Sequence, residues 1–149
     1  MSLLRQALSA ITRAFPTERA YAHCDIPCGI YDPITAKIAA QTVQKMVMRI
    51  QALQTPSASD SADAWATYES TLGRYVAVKE EHAQLCKKEL SILWGDYFRP
   101  DHLEKYPDLH DTFWKAAKLC STCKVEVNQT HAEELMQAIQ DIHNLFWST

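Results

Sequence analysis

The sequence predicts an all-α protein, an antiparallel four-helix bundle, and three observations carry that expectation. Apolar residues recur every three or four positions through four stretches, the spacing that gathers them on one face of a helix. Glycine occurs only 3 times in 149 residues, too rarely for the tight turns of a β-sandwich or barrel. The links between the stretches are short, which makes successive helices antiparallel neighbours. At 47% apolar residues the chain is not a disordered one, and its length suits a single domain with its own core.

The first helix starts at Asp32-Pro33, with Asp32 as N-cap and Pro33 at the first helical position. Its apolar face is Ile34, Ile38, Val43, Met46, Val47, Ile50 and Leu53, and Pro56 stops it. Residues 55–63, rich in Ser, Ala and Asp, read as a loop. A second helix runs from about Asp63 to Trp94 on the stripe Tyr68, Leu72, Tyr75, Val76, Ala83, Cys86, Leu90 and Leu93. It would be about 45 Å long, with Gly95 as its stop. Phe98-Arg99-Pro100 begins a connector, and Tyr106-Pro107 opens a third helix bearing Leu109, Phe113, Ala116, Ala117 and Leu119. The fourth starts on a capping box, Thr130-His131-Ala132-Glu133, and presents Leu135, Ile139, Ile142, Leu145 and Phe146. Asn128-Gln129-Thr130 matches a glycosylation sequon by chance, since nothing else points to secretion.

Charge and hydropathy narrow the function classes. The net charge is −3. Arg5, Arg13 and Arg19 against Glu18 give residues 1–22 a charge of +2, which leaves −5 from His23 onward. A mildly acidic chain without a basic run is a poor nucleic-acid binder. No stretch approaches the roughly 18 to 20 apolar residues of a membrane span. Residues 1–22 place Leu3, Leu4, Leu8, Ile11 and Phe15 at amphipathic spacing, with no continuous apolar run of the secretory type. By themselves they read as a frayed N-terminal helix in a cytoplasmic protein.

The unusual chemistry lies between this stretch and the first helix. His23-Cys24-Asp25-Ile26-Pro27-Cys28-Gly29-Ile30-Tyr31-Asp32-Pro33 places two thiols four residues apart, with a histidine directly before the first. Pro27 fixes one φ angle, and Gly29 permits a turn just after the second thiol. Such a loop can fold both sulfurs onto one ion. Zinc prefers a tetrahedron of separated side chains. Adjacent His and Cys suit a planar chelate better, because the backbone between them supplies nitrogen, and that set points toward nickel or copper. A two-cysteine loop with no such role fits the spacing as well.

This run resembles the hook motif of the nickel superoxide dismutases. The resemblance continues through Lys79-Glu80-Glu81, Leu93-Trp94-Gly95-Asp96-Tyr97-Phe98-Arg99-Pro100, Glu104-Lys105-Tyr106-Pro107-Asp108-Leu109-His110 and the stretch Ile142 to Trp147. It implies an enzyme that converts superoxide to dioxygen and hydrogen peroxide by Ni(II)/Ni(III) cycling, with one nickel ion per subunit of a homohexamer. It implies that residues 1–22 are a leader removed by a maturation protease. Residues 23–149 then form the enzyme domain, with a hook over 23–31 and the helical bundle over 32–149.

The resemblance also assigns roles. His23 supplies its α-amine and an axial imidazole, Cys24 its thiolate and backbone nitrogen, and Cys28 the second thiolate. Asp25 and Pro27 shape the hook, and the Ile26–Pro27 peptide is expected to be cis. His23 and Tyr31 are the catalytic candidates, Tyr31 positioning superoxide or excluding other anions. Tyr97 resembles the family's second tyrosine, which supports the first, and it also reads as an ordinary amphipathic residue at a helix end. Two positions depart from the family. Ala39 and His82 stand where its members carry a glutamate and an arginine that orient the axial imidazole. His82 either takes over by hydrogen bonding or is an exposed helix residue.

Cys120 and Cys123, near the end of the third helix, read as small core residues, with a second metal site, a redox pair or a subunit contact as the functional alternatives. Cys86 lies on the apolar stripe and reads as core. Two other functions compete with the enzyme: a bundle with a structural zinc site built from Cys24, Cys28, Cys120 and Cys123, and a metal-free helical interaction protein.

Overall fold

The computed structural model describes residues 29–149. Within them residues 31–149 form one compact unit of helices: α1 (Ile34–Gln51), α2 (Ala62–Ile92), α3 (Pro100–Lys105), α4 (Leu109–Val125) and α5 (Gln129–Trp147), with a π-helical turn (Leu93–Tyr97) at the end of α2. The four long helices make the expected bundle. Helix α1 packs on α2 and α5, and α4 packs on the same two. Cross-helix bonds fix the antiparallel sense. Gln51, at the end of α1, donates to the Val127 carbonyl just before α5, and Lys87 of α2 reaches Ser121 Oγ of α4 at 2.9 Å.

Helix α1 starts one residue later than the sequence predicts, with Pro33 at the cap position and the Asp32 carboxylate accepting the Ile34 N–H at 2.8 Å. Its buried face differs. Ala36, Ala39, Ala40, Val43, Met46 and Val47 are inside, while Ile34 and Ile38 are 44% and 54% exposed. Small alanines let the neighbouring backbones approach closely, so the early turns pack on their alanine side.

Helix α2 is capped by Ser61, whose hydroxyl accepts the Ala64 N–H at 3.2 Å. It does not stop at Gly95. The Leu93 carbonyl accepts from Phe98 N at 3.3 Å, an i→i+5 closure that carries the helical path through Gly95 to Tyr97. The turn sets Trp94 nearly parallel to Phe113 at 6.2 Å and Phe98 edge-on to the same ring at 5.3 Å. The segment between this turn and α4 is not a bare connector either, because Pro100 opens the short helix α3.

Helix α4 buries Leu109, Phe113, Ala116, Cys120 and Cys123, and α5 buries Ala132, Leu135, Ile139, Ile142 and Phe146. The expected capping box at Thr130 does not form. The cap of α5 lies two residues earlier, where Asn128 Oδ1 accepts the N–H groups of Thr130 and His131 at 2.9 and 3.3 Å. Asparagine in the extended conformation satisfies the first orphan donors, and Thr130 becomes part of the helix.

Candidate metal centre

The expected ligands His23, Cys24 and Cys28 lie outside the described residues, as do Asp25 and the Ile26–Pro27 peptide. The described chain begins at Gly29, whose φ of +67° is the left-handed conformation expected just after the second thiol. Two residues further, Tyr31 is half-buried and packs against the core. Its ring lies 5.6 Å from that of Tyr97, tilted by 58°. The two tyrosine rings are thus neighbours.

Tyr97 is held on several sides. Phe146 lies at 4.4 Å between ring centroids, Phe98 edge-on at 4.9 Å and His102 at 5.6 Å. The Tyr97 hydroxyl is 2.6 Å from Thr149 Oγ1. This is more than an amphipathic residue fraying at a helix end: the π turn delivers the ring into an aromatic cluster, and the phenol has a fixed partner.

The two departing positions resolve differently. Ala39 is fully buried in the α1 face. His82 is half-buried, not an exposed helix residue, and its Nδ1 lies 2.9 Å from the Val78 carbonyl of the preceding turn. A carbonyl only accepts, so this nitrogen carries the proton and donates. It is therefore engaged with its own helix.

The remaining cysteines are core. Cys86, Cys120 and Cys123 are free thiols with at most 2% exposure. A hydrogen bond to the Cys120 thiol, together with burial, holds the Cys86 thiol far above its ordinary range. Burial raises the Cys123 thiol to about 11, with Cys120 adding to the rise and Lys79 opposing it. These surroundings thus keep the Cys86 and Cys123 thiols protonated, as suits core residues. Among the described residues no three His, Cys, Asp or Glu side chains gather where they would hold a metal. Cys24 and Cys28, the other two ligands of the zinc alternative, lie outside the described residues, while Cys120 and Cys123 are buried in the core.

The apolar stripe read for the second helix omits Lys79, yet it is a central residue between α2 and α4. It is 1% exposed, and its ammonium donates to the carbonyls of Cys123, Lys124 and Glu126 at 2.6, 2.7 and 3.0 Å. Three protons meet three acceptors at the C-terminus of α4, where carbonyls lack helical partners and the helix dipole favours a cation. Burial lowers the Lys79 pKa, against the pull of Glu80 and Cys123. A signal does exist in the spacing: Leu72, Val76, Lys79, Ala83, Cys86 and Leu90 keep one helical face, and Lys79 occupies a core position in it. The anchoring of residues 148 and 149 beside Tyr97 has no such signal, since no local pattern announces it.

Comparison with known proteins agrees with this arrangement. The family model described as nickel-containing superoxide dismutase matches residues 18–149. The chain is 35% identical over 140 residues to proteins named superoxide dismutase [Ni] from Streptomyces seoulensis and from Streptomyces coelicolor, in each case covering 93% of this chain and 97% of the relative. A solved native structure of nickel superoxide dismutase superposes with a TM-score of 0.71 at 32% identity, covering 85% of this chain and 97% of that one. With the match running from before the two-thiol segment to the last residue, the chain belongs to the nickel-containing superoxide dismutase family.

Proposed function

We infer that this protein is a nickel-dependent superoxide dismutase, and that His23, Cys24 and Cys28 hold its metal. The observation that carries the reading is the donor set. In a chain of this family, whose described bundle gathers no metal-binding cluster, the segment His23 to Cys28 offers two thiols, an imidazole and backbone nitrogen within six residues. Thiolates with nitrogen donors fit a planar nickel site and stabilise its higher oxidation state. When bound, nickel supplies one-electron redox chemistry between its divalent and trivalent states, which is what converting two superoxide ions and two protons into dioxygen and hydrogen peroxide requires.

The chain's own residues have distinct tasks. His23 contributes its α-amine once residues 1–22 are removed, because the amide of an uncleaved Ala22–His23 bond is a weak donor. Its imidazole would be a further ligand. Tyr31, three residues beyond Cys28, orients superoxide and turns away other anions, and Tyr97 braces it. Ala39 has no polar group with which to orient the imidazole, and His82, whose Nδ1 donates to Val78, has only its Nε2 for that task. A homohexamer in the cytoplasm, matured by a protease, completes the proposal.

The test is metal content and superoxide dismutation of two preparations, the uncleaved chain and a chain beginning at His23. The expected result is one nickel per chain and dismutation by the cleaved form, with the uncleaved form nearly inactive. Equal activity of the two forms would overturn the amine ligand. Zinc in place of nickel, without dismutation, would overturn the function.

A further inference from the structure

A groove of about 440 Å³ runs between α1 and α2, lined by Met46 and Arg49 of the first helix and by Thr71, Arg74, Tyr75 and Val78 of the second. That volume lies within the roughly 300–1,000 Å³ of small-molecule sites. Steps of three and four residues put each set on one helical face. The groove is remote from Tyr31. Arg49 stands in the last turn of α1 and Tyr31 ahead of the first, so the 18 residues of the helix separate them by about 27 Å.

The lining brings two guanidiniums to one place. Arg49 lies over the Tyr75 ring, 5.7 Å from its centroid, a cation–π contact that holds it at the groove. The ion pairs among the described residues join Lys115 to Asp111 and His131 to Glu126, so no carboxylate there neutralises Arg49 or Arg74. One exposed arginine needs no partner. Two in the lining of one groove are different in a chain of net charge −3, where acidic side chains are in excess and none is set against them. Their planar forks match the oxygens of a phosphate, and the Thr71 and Tyr75 hydroxyls add neutral hydrogen-bonding groups. Met46, Val78 and the Tyr75 ring supply an apolar wall. A bare anion would leave that wall unused, and an uncharged molecule would leave the charges unused.

We propose that this groove binds a phosphate monoester with a small apolar body, the phosphate between Arg49 and Arg74 and the body against Met46 and Val78. Such a group carries about two negative charges at neutral pH, which balances the two arginines. The site is separate from dismutation. At about 27 Å the arginines stand more than three Debye lengths from Tyr31 at physiological ionic strength, too far to guide superoxide.

Isothermal titration calorimetry of the full chain with phenyl phosphate tests this, with inorganic phosphate and phenol as the two halves of the probe. One phenyl phosphate should bind per chain, about fivefold or more tightly than inorganic phosphate, and phenol should not bind measurably. Arg49→Gln and Arg74→Gln keep the stems that cover the groove and remove the charges. Each should weaken phenyl phosphate about tenfold or more. Amide spectra of nitrogen-labelled protein locate the site, and the shifts on titration should centre on Thr71, Tyr75 and Val78. Binding that survives in the double variant, or shifts confined to another part of the bundle, would overturn the proposal. Inorganic phosphate binding as tightly as phenyl phosphate would remove the apolar body from it. A parent chain that binds no phenyl phosphate also sinks it. If the double variant then sediments as a smaller species than the parent, the arginines hold a neighbouring copy of the chain instead.

Discussion

The five cysteines divide between two regions with different sequence surroundings. Cys24 and Cys28 stand among Asp25, Pro27 and Gly29, ahead of the first helix and outside its apolar stripe. Cys86, Cys120 and Cys123 lie in the seam between α2 and α4, buried, with the Cys86 and Cys123 thiols ionising only with difficulty. A thiolate is the metal ligand and a thiol is a small apolar filler, and surroundings decide which of the two a cysteine becomes. The seam applies the same rule to a cation. Lys79 is as deeply buried as the thiols, and three carbonyls compensate its charge.

The largest effect should come from exchanging oxygen for sulfur in the first region. Cys24→Ser or Cys28→Ser should reduce dismutation by on the order of a hundredfold or more, while circular dichroism retains the helical signal. Retained activity in either variant would erase the contrast, and lost helicity would make the first region structural as well. In the seam the expected effect is on stability. Lys79→Met leaves the three carbonyls at the end of α4 without their donor and should cost about 3 kcal/mol in urea unfolding. Nickel uptake per folded chain should not change. A variant as stable as the parent would show that burying the ammonium costs as much as its hydrogen bonds contribute.

The smallest effect is a pH dependence. The Cys123 thiol is raised from 9.0 to about 11 in the native state. Its contribution is therefore fully present below 9.0, where both states are protonated. It is lost as pH climbs to about 11, because the unfolded chain ionises first. The stability difference between parent and Cys123→Ala should shrink by about 2 kcal/mol across that window. A difference independent of pH would mean that the thiol ionises as freely as one in water.

Much of the bundle is legible in the sequence because helical spacing, Asp32 and Pro56 act locally. The departures arise where packing overrides local preference. Ile34 and Ile38 read as core by size, yet the close approach of the helices selects Ala36, Ala39 and Ala40. Gly95 reads as a stop, yet the aromatic rings around Phe113 favour a path that continues to Tyr97. In the site, Tyr31 is legible from its motif and its meeting with Tyr97 from the resemblance. The bond from Tyr97 to Thr149 joins residues 52 apart in sequence, and only the folded chain brings them together.

Lys79 has a further consequence as a clock. An amine whose three protons are engaged inside the seam offers no lone pair to an acylating reagent, whereas an amine in water offers one each time it loses a proton. Lys79 becomes reactive only while the end of α4 parts from α2. The rate at which it acquires an acyl group under native conditions therefore counts those openings one molecule at a time, and reads the local breathing of the junction between α4 and α5 separately from global unfolding.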